Sequence, residues 1–199
     1  MSVTITDEQF AARELVRDWS AGAGAPAAVR AIEQGNADAW RRVFRGLAEL
    51  GLFGVAVAEE DGGAGGSVTD LCAMLDEAAY ALTPGPVVTT ALATLVIDEP
   101  GLRGRLCTGD LTAGVAFEAD LREDSGGRVS GTADYVLGAL TTGVLILPIG
   151  ERIVAVDAAA EGVTVEPLSA TDFSRPLARV MLRNSPATRL AVSRRRLGD

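Results

Sequence analysis

A chain of 199 residues, 48 % apolar and 23 % charged, has material for one large domain or two modest ones around a buried core, and is not the composition of a disordered polymer. A formal net charge of −9, with a sequence pI near 4.6, sets most of the surface against nucleic-acid phosphates while leaving room for a local basic patch that binds a small anion. There is no histidine and every basic residue is arginine, which excludes Ser-His and Cys-His nucleophile pairs, histidine metal sites, a P-loop lysine and a Lys Schiff base.

Cys72 and Cys107 fit no CxxC or zinc spacing and are read as small buried groups suited to a reducing compartment. The opening MSVTITDEQF lacks a basic segment and a long apolar run, so no signal peptide is expected, and no apolar run approaches the ~20 residues of a membrane span. The expectation is a soluble cytoplasmic protein with neither nucleic acid nor membrane as partner.

Helices come first. Thr6-Asp7-Glu8-Gln9 is a capping box, and Phe10, Leu15, Val16 and Trp19 form a helical apolar stripe that Gly22, Gly24 and Pro26 end. A short helix is expected from Ala27 to Gln34. Asn36 or Asp38 then caps a helix with Trp40, Val43, Phe44, Leu47 and Leu50 on one face, Arg41, Arg42, Arg45 and Glu49 elsewhere, and Gly51 as its left-handed stop. Leu52 to Val57 feeds a glycine-rich loop, Glu59 to Gly66. Ser67-Val68-Thr69-Asp70 is a second capping box, and Leu71, Met74, Leu75, Ala78, Ala79 and Leu82 keep helical spacing behind it. Thr83-Pro84-Gly85-Pro86 breaks that helix; Val87 to Ile97 is mostly apolar and of helical length, and a short helix runs on through Leu106.

Near residue 110 the rhythm shortens and β-branched residues rise. Seven strands are expected: Ala113 to Phe117, Arg128 to Ser130, Ala133 to Leu137, Val144 to Leu147, Arg152 to Val156, Val163 to Val165 and Ala178 to Leu182. The fold class is therefore α+β: a helical-bundle domain over 1–110, a small antiparallel β-barrel or sandwich over 111–190, and a solvated tail from 191, with Arg194 to Asp199 at its end. Strands this short leave edges that need cover, which points to a packing element either lost or borrowed from elsewhere.

The run Leu47-Ala48-Glu49-Leu50-Gly51-Leu52-Phe53-Gly54, followed by Ala58-Glu59-Glu60-Asp61-Gly62-Gly63-Ala64-Gly65-Gly66-Ser67, resembles the signature of acyl-CoA dehydrogenases. Leu82 to Pro86 resembles a turn of actinobacterial members, and Arg152 to Asp157 with Gly162-Val163, then Asp172 to Leu182 and Asn184 to Ala187, is similar to the end of the family's β domain. The resemblance implies flavin-linked oxidation of an acyl-CoA at its α and β carbons: a carboxylate takes the α-proton while the β-hydride moves to FAD, with the thioester carbonyl polarised. In the family that base belongs to a C-terminal helical domain, which the resemblance finds absent here, so no residue inherits the catalytic role. The flavin-contacting positions fall on Phe117, Glu118, Tyr135, Val136 and Leu137. Glu118 fits its motif, but Phe117 stands where the family has a hydroxyl residue, Tyr135 where it has Trp, and Leu137 where a Thr hydrogen-bonds the flavin edge. A Leu there leaves a polar rim unpartnered at about 1–3 kcal/mol per group, which weighs against FAD binding by this chain alone. What the resemblance implies is a shortened subunit working beside a full-length acyl-CoA dehydrogenase partner, or in a homo-oligomer, on a fatty or steroid acyl-CoA. The alternatives are a non-catalytic acyl-CoA-binding or regulatory module and a truncated, inactive product.

Other groups have plain structural readings. The glycine-rich loop lacks glycine at position 68 and follows three acids, so a turn is favoured over a phosphate cradle. Glu59 and Glu60 are solvated; Arg41, Arg42 and Arg45, which could grip a CoA phosphate, are the wet face of their helix; Tyr135 fills its own β core.

Overall fold

The computed structural model describes residues 6–139 and 143–193. The Arg194 to Asp199 tail lies outside the described residues.

Helix α1 (Asp7–Ala23) starts on the expected box: Gln9 N–H donates to Thr6 Oγ1 at 3.2 Å, and Thr6 N–H donates to Gln9 Oε1 at 3.1 Å. Gly24, at φ 72°, turns the chain at once, so α2 (Ala25–Glu33) begins two residues before the expected start, with Pro26 in its first turn. Helix α3 (Arg41–Glu49) opens later than either proposed cap, because Asn36 and Asp38 serve a preceding turn: Asn36 Oδ1 accepts from Asp38 N–H, and Asp38 pairs with Arg41 at 2.7 Å. Trp40, Val43, Phe44 and Leu47 are buried as expected, and Gly51 is left-handed at φ 80°.

The second box, Ser67 with Asp70, opens α4 (Val68–Tyr80); α5 (Val87–Val96) and α6 (Pro100–Cys107) follow. Burial departs from the expected stripes at several positions. Phe10 and Leu15 are exposed on α1, where Val16 alone is fully buried, and Leu82 is exposed past the end of α4. Cys72, expected inside, faces solvent because the neighbouring Leu71 takes the inward position, while Cys107 is buried. Glu77 is buried instead: its carboxylate accepts from Arg13 at 2.9 Å and Arg17 at 2.7 Å across the α1–α4 interface.

The remaining described chain is β: β1 (Ala113–Val115), β2 (Asp120–Glu123), β3 (Arg128–Leu137), β4 (Val144–Ile149), β5 (Arg152–Asp157), β6 (Val163–Pro167), β7 (Leu177–Pro186) and β8 (Thr188–Ser193). They form one sheet in the order β6-β7-β3-β1-β4-β5-β8, with β2 also on β3. The expected α+β order, helices and then a small β unit, is what the structure has; the barrel and the purely antiparallel pairing are corrected, since the sheet is not a closed barrel and is mixed, β1 pairing parallel with β4, Gly114 opposite Leu145. The two predicted strands within 128–137 are one strand, continued through a bulge between Ala133 and Val136. Strand β2 is charged and β8 carries only the short apolar run Leu190-Ala191-Val192, so neither is among the expected strands.

Strand β4 is buried on both faces, so its residues alternate between two cores. Leu145, Leu147 and Ile149 join Val136, Val154 and Val180 in one; Val144 and Ile146 join Ala93, Ile97 and Leu106 of α5 and its neighbours in the other. The helical half and the sheet therefore share a core cluster, and their junction is where the predicted site residues gather.

Candidate functional site

Phe117 and Glu118 follow β1; Tyr135, Val136 and Leu137 end β3, with Leu137 paired to Val115 of β1. The bulge decides which side chains reach the surface. Without it, strict alternation after buried Ala133 would place Tyr135 inside. Tyr135 instead adopts φ 56°, a left-handed conformation that costs a bulky residue about 1–3 kcal/mol, so Asp134 and Tyr135 both face solvent and Val136 returns to the core. Tyr135 is 70 % exposed and does not fill the β core. The structure thus brings Phe117, Glu118, Tyr135 and Leu137 to one face, while the Val136 side chain is fully buried.

Two clefts meet at Phe117. The smaller, about 260 Å³, lies between the start of α5 and the end of β3 and is walled by Pro86, Val88, Leu92, Phe117, Leu137 and Pro176, with Thr89 and Arg175. Two glycines let its walls approach. Gly138, at φ 78°, donates its N–H to Pro176 O at 2.8 Å; a Cβ there would stand 2.5 Å from Thr89 Oγ1. Gly85, at φ 94°, donates to Ser174 O at 2.8 Å, and a Cβ there would stand 2.8 Å from the Trp40 ring. The cleft is held open by backbone, not by flexible side chains. The Thr89 hydroxyl is turned to Pro86 O at 3.2 Å, which leaves Arg175, shared with a neighbouring cleft, as the one charged residue lining an apolar wall.

The larger cleft, about 660 Å³, is lined by Phe117, Glu118, Ala119, Asp120, Thr132, Asp134 and Tyr135. Three carboxylates face it and no basic side chain lines it. Arg179 of β7 lies beside it, bound to Asp134.

These residues do not fit FAD. The resemblance places flavin contacts at Phe117 and Leu137, whose side chains offer only carbon, and the three carboxylates of the larger cleft oppose any anionic part of the cofactor that would enter it, with no basic side chain lining it. No carboxylate lines the apolar cleft, so it holds no base for an α-proton. No cluster among the described residues could hold a metal, and no helix among them is long and apolar enough to cross a membrane.

The other groups weighed from sequence settle simply. Amides of the glycine-rich loop are engaged by the preceding segment, Gly65 N–H on Val57 O and Gly66 N–H on Val55 O, both at 2.8 Å, so they cradle nothing. Glu59 and Glu60 are exposed in a 3₁₀ turn, and Asp61 pairs with Arg103. Arg41, Arg42 and Arg45 are exposed on α3, with Arg41 over the Trp40 ring. Sequence reading missed Val88, Leu92 and Arg175; the Thr83 to Pro86 breaker was their only signal.

The model of the acyl-CoA dehydrogenase N-terminal domain matches residues 6–102. The acyl-CoA dehydrogenase FadE34 of Mycobacterium tuberculosis is 56 % identical over 208 aligned residues, covering 100 % of this chain and 29 % of FadE34. A variant of the Tcur3481-Tcur3483 steroid ACAD has a TM-score of 0.80 at 26 % identity, over 94 % of this chain and 58 % of that one. An acyl-CoA dehydrogenase of Bacillus anthracis complexed with FAD has a TM-score of 0.76 at 17 % identity, over 96 % of this chain and 38 % of that one, a likeness of fold alone. This chain therefore corresponds to less than a third of FadE34's length. By the match of this whole chain to part of FadE34 and the N-terminal domain model together, the chain belongs to the acyl-CoA dehydrogenase family.

Proposed function

We propose that this chain is a cytoplasmic subunit of a FAD-linked acyl-CoA dehydrogenase whose partner subunit supplies the catalytic carboxylate and most of the flavin site. The observation that carries the reading is a mismatch within one fold. The helical signature and the junction cleft are formed, yet Phe117 and Leu137 present carbon where a flavin rim needs donors and acceptors. Proton removal from a thioester needs a carboxylate over the α-carbon, and none of the cleft residues is acidic. In this reading the described residues shape an acyl pocket and present Phe117, Tyr135 and Leu137 to a neighbouring chain, while the reacting groups come from outside them. The two components named together in the Tcur3481-Tcur3483 steroid ACAD support a heteromeric assembly, and that name makes steroid side-chain thioesters the first substrates to try, ahead of fatty acyl-CoA.

Co-expression with a full-length acyl-CoA dehydrogenase tests the proposal. The expected result is co-elution, a yellow complex, and bleaching of its visible absorbance on adding an acyl-CoA, with the separate chain colourless. A separate chain that binds flavin and bleaches with an acyl-CoA removes the idea, as does failure to co-elute.

A second reading, a non-catalytic acyl-CoA-binding module, is favoured by the preformed, acid-free cleft itself. It requires saturable acyl-CoA binding with no flavin reduction in any mixture. A truncated, inactive product would show neither.

A further inference from the structure

We propose that the junction cleft is a binding site for an amphipathic carboxylate, an apolar chain of several carbons ending in an anion held by Arg175. Three observations carry it. The cleft is lined by carbon on nearly every side, and its volume of about 260 Å³ suits a ligand smaller than those of the ~300–1,000 Å³ pockets that take drug-sized molecules. It is pre-organised, because Gly85 and Gly138 pin the segment carrying Arg175 through hydrogen bonds to Ser174 O and Pro176 O, both at 2.8 Å. The third is the state of the cation.

Arg175 is held loosely. Its Nε lies 3.8 Å from Asp172 Oδ2, beyond hydrogen-bond distance, while Asp172 Oδ1 accepts from Ser174 N–H at 2.8 Å and Ser174 Oγ at 2.6 Å. Among the described residues no other group faces the guanidinium at ion-pair distance. Arg175 borders both this cleft and the neighbouring one that Asp172 lines, and its ion pair with Asp172 at 3.8 Å leaves its donors without a hydrogen-bonded side-chain acceptor among the described residues; a ligand carboxylate supplies one bidentately. In a carbon-lined site that hydrogen bond is stronger than in water, so the anion adds selectivity to the burial of the chain. Neutral chains fit the walls but add no hydrogen bond at Arg175; short anions add one but bury nothing. The assignment needs neither flavin nor partner, so the spectral result that would remove the dehydrogenase reading leaves it standing.

The carboxylate has two chemical sources, a free monocarboxylic acid or the free end of a dicarboxylic acyl thioester. Titration of the ¹⁵N-labelled chain with octanoate, octanol and suberyl-CoA, followed by amide NMR, separates them. The expected result is shifts confined to Gly85, Val88, Leu137 and Gly138, with the anion-ended ligand bound about tenfold more tightly than octanol. Tight octanoate marks the free acid; suberyl-CoA binding without octanoate binding marks the thioester. Arg175→Gln should bring the preferred ligand down to octanol's affinity and leave octanol unchanged, and Arg175→Lys should keep most of the preference. Equal binding of octanol and both anions, an unchanged anion affinity in a folded Arg175→Gln variant, or shifts away from the cleft would each overturn the proposal. If Arg175→Gln does not fold, the wild-type preference over octanol and the Arg175→Lys variant decide it.

Discussion

The Glu123 carboxylate accepts both the Nε–H and an Nη–H of Arg189, each at 3.0 Å, joining β2 to β8 where no backbone ladder connects them. Arg152 of β5 adds a third contact at 2.8 Å. Side chains thus bridge β2, which branches off β3, to β8 at the end of the strand order. A bidentate guanidinium suits the gap because its fork matches the carboxylate's geometry.

Arg189, and after it Arg152, holds the Glu123 carboxyl below the usual carboxylate range against an opposing effect of burial. The folded pKa is therefore depressed relative to the unfolded one. The stabilisation is complete above the ordinary glutamate range and is lost as pH falls through the folded value. Glu123→Gln should lower the thermal midpoint at pH 7, and the gap to the parent chain should narrow as pH falls below about 4, near the unperturbed glutamate value. Melting curves across that range check it; a gap independent of pH would mean that packing, not charge, holds β2 to β8.

Glu77 predicts a similar loss in the helical half. Its carboxyl is lowered first by the Arg17 hydrogen bond and then by Arg13, and it sits between α1 and α4 at 5 % exposure. Glu77→Leu removes the buried partner that Arg13 and Arg17 share, leaving Arg13 its bridge to Asp76 and Arg17 its bridge to Glu14, and about 1–3 kcal/mol should be lost in urea unfolding at pH 7. Half of Arg17 remains in water, so the lower part of that range is expected. Added salt should weaken the parent more than the variant.

Legibility followed the strength of local signals. The two capping boxes and the Gly51 stop were readable because each is a short-range hydrogen-bond or φ requirement written in consecutive residues. Burial of Glu77 was not, since only α1, some sixty residues away in sequence, supplies the arginines that permit it. The parallel pairing of β1 with β4 was equally hidden: Ala113 to Val115 is buried on both faces, and an unbroken apolar run carries no direction. At the site, Phe117 and Leu137 were legible as departures from a motif, but Arg175 was not. Its importance comes from the backbone of Gly85 and Gly138, which brings its segment against α5.

Tyr135 offers a test of strain at the site. Its left-handed φ of 56° is unfavourable for a bulky side chain, and at 70 % exposure the ring gains little from packing. Asn tolerates that conformation, so Tyr135→Asn should leave the isolated chain equally stable or stabilise it by up to about 1 kcal/mol. The same variant should weaken co-elution with an acyl-CoA dehydrogenase partner, because the exposed ring is then missing from the shared face. A clear fall in thermal midpoint would show that the ring supports the fold itself.

Gly138 is the position where the cleft has least tolerance. An alanine there must keep φ near 78° while its Cβ lies 2.5 Å from Thr89 Oγ1, 2.8 Å from Ala113 O and 3.1 Å from Pro86 Cβ. Thr89 is buried and its hydroxyl is tied to Pro86 O, so it has no easy retreat, and the other near contact is backbone. Gly138→Ala should cost about 1–3 kcal/mol in urea unfolding through overpacking and conformational strain together. The strain falls on the join between β3 and α5, so amide exchange should quicken first at Gly138 and Leu137, while the Glu77 interface keeps its protection. Gly104→Ala, at a helical glycine whose added Cβ meets nothing within 4 Å, is the matched control and should be neutral or stabilising. If the two substitutions prove alike, the close approach at Gly138 does not hold the cleft open.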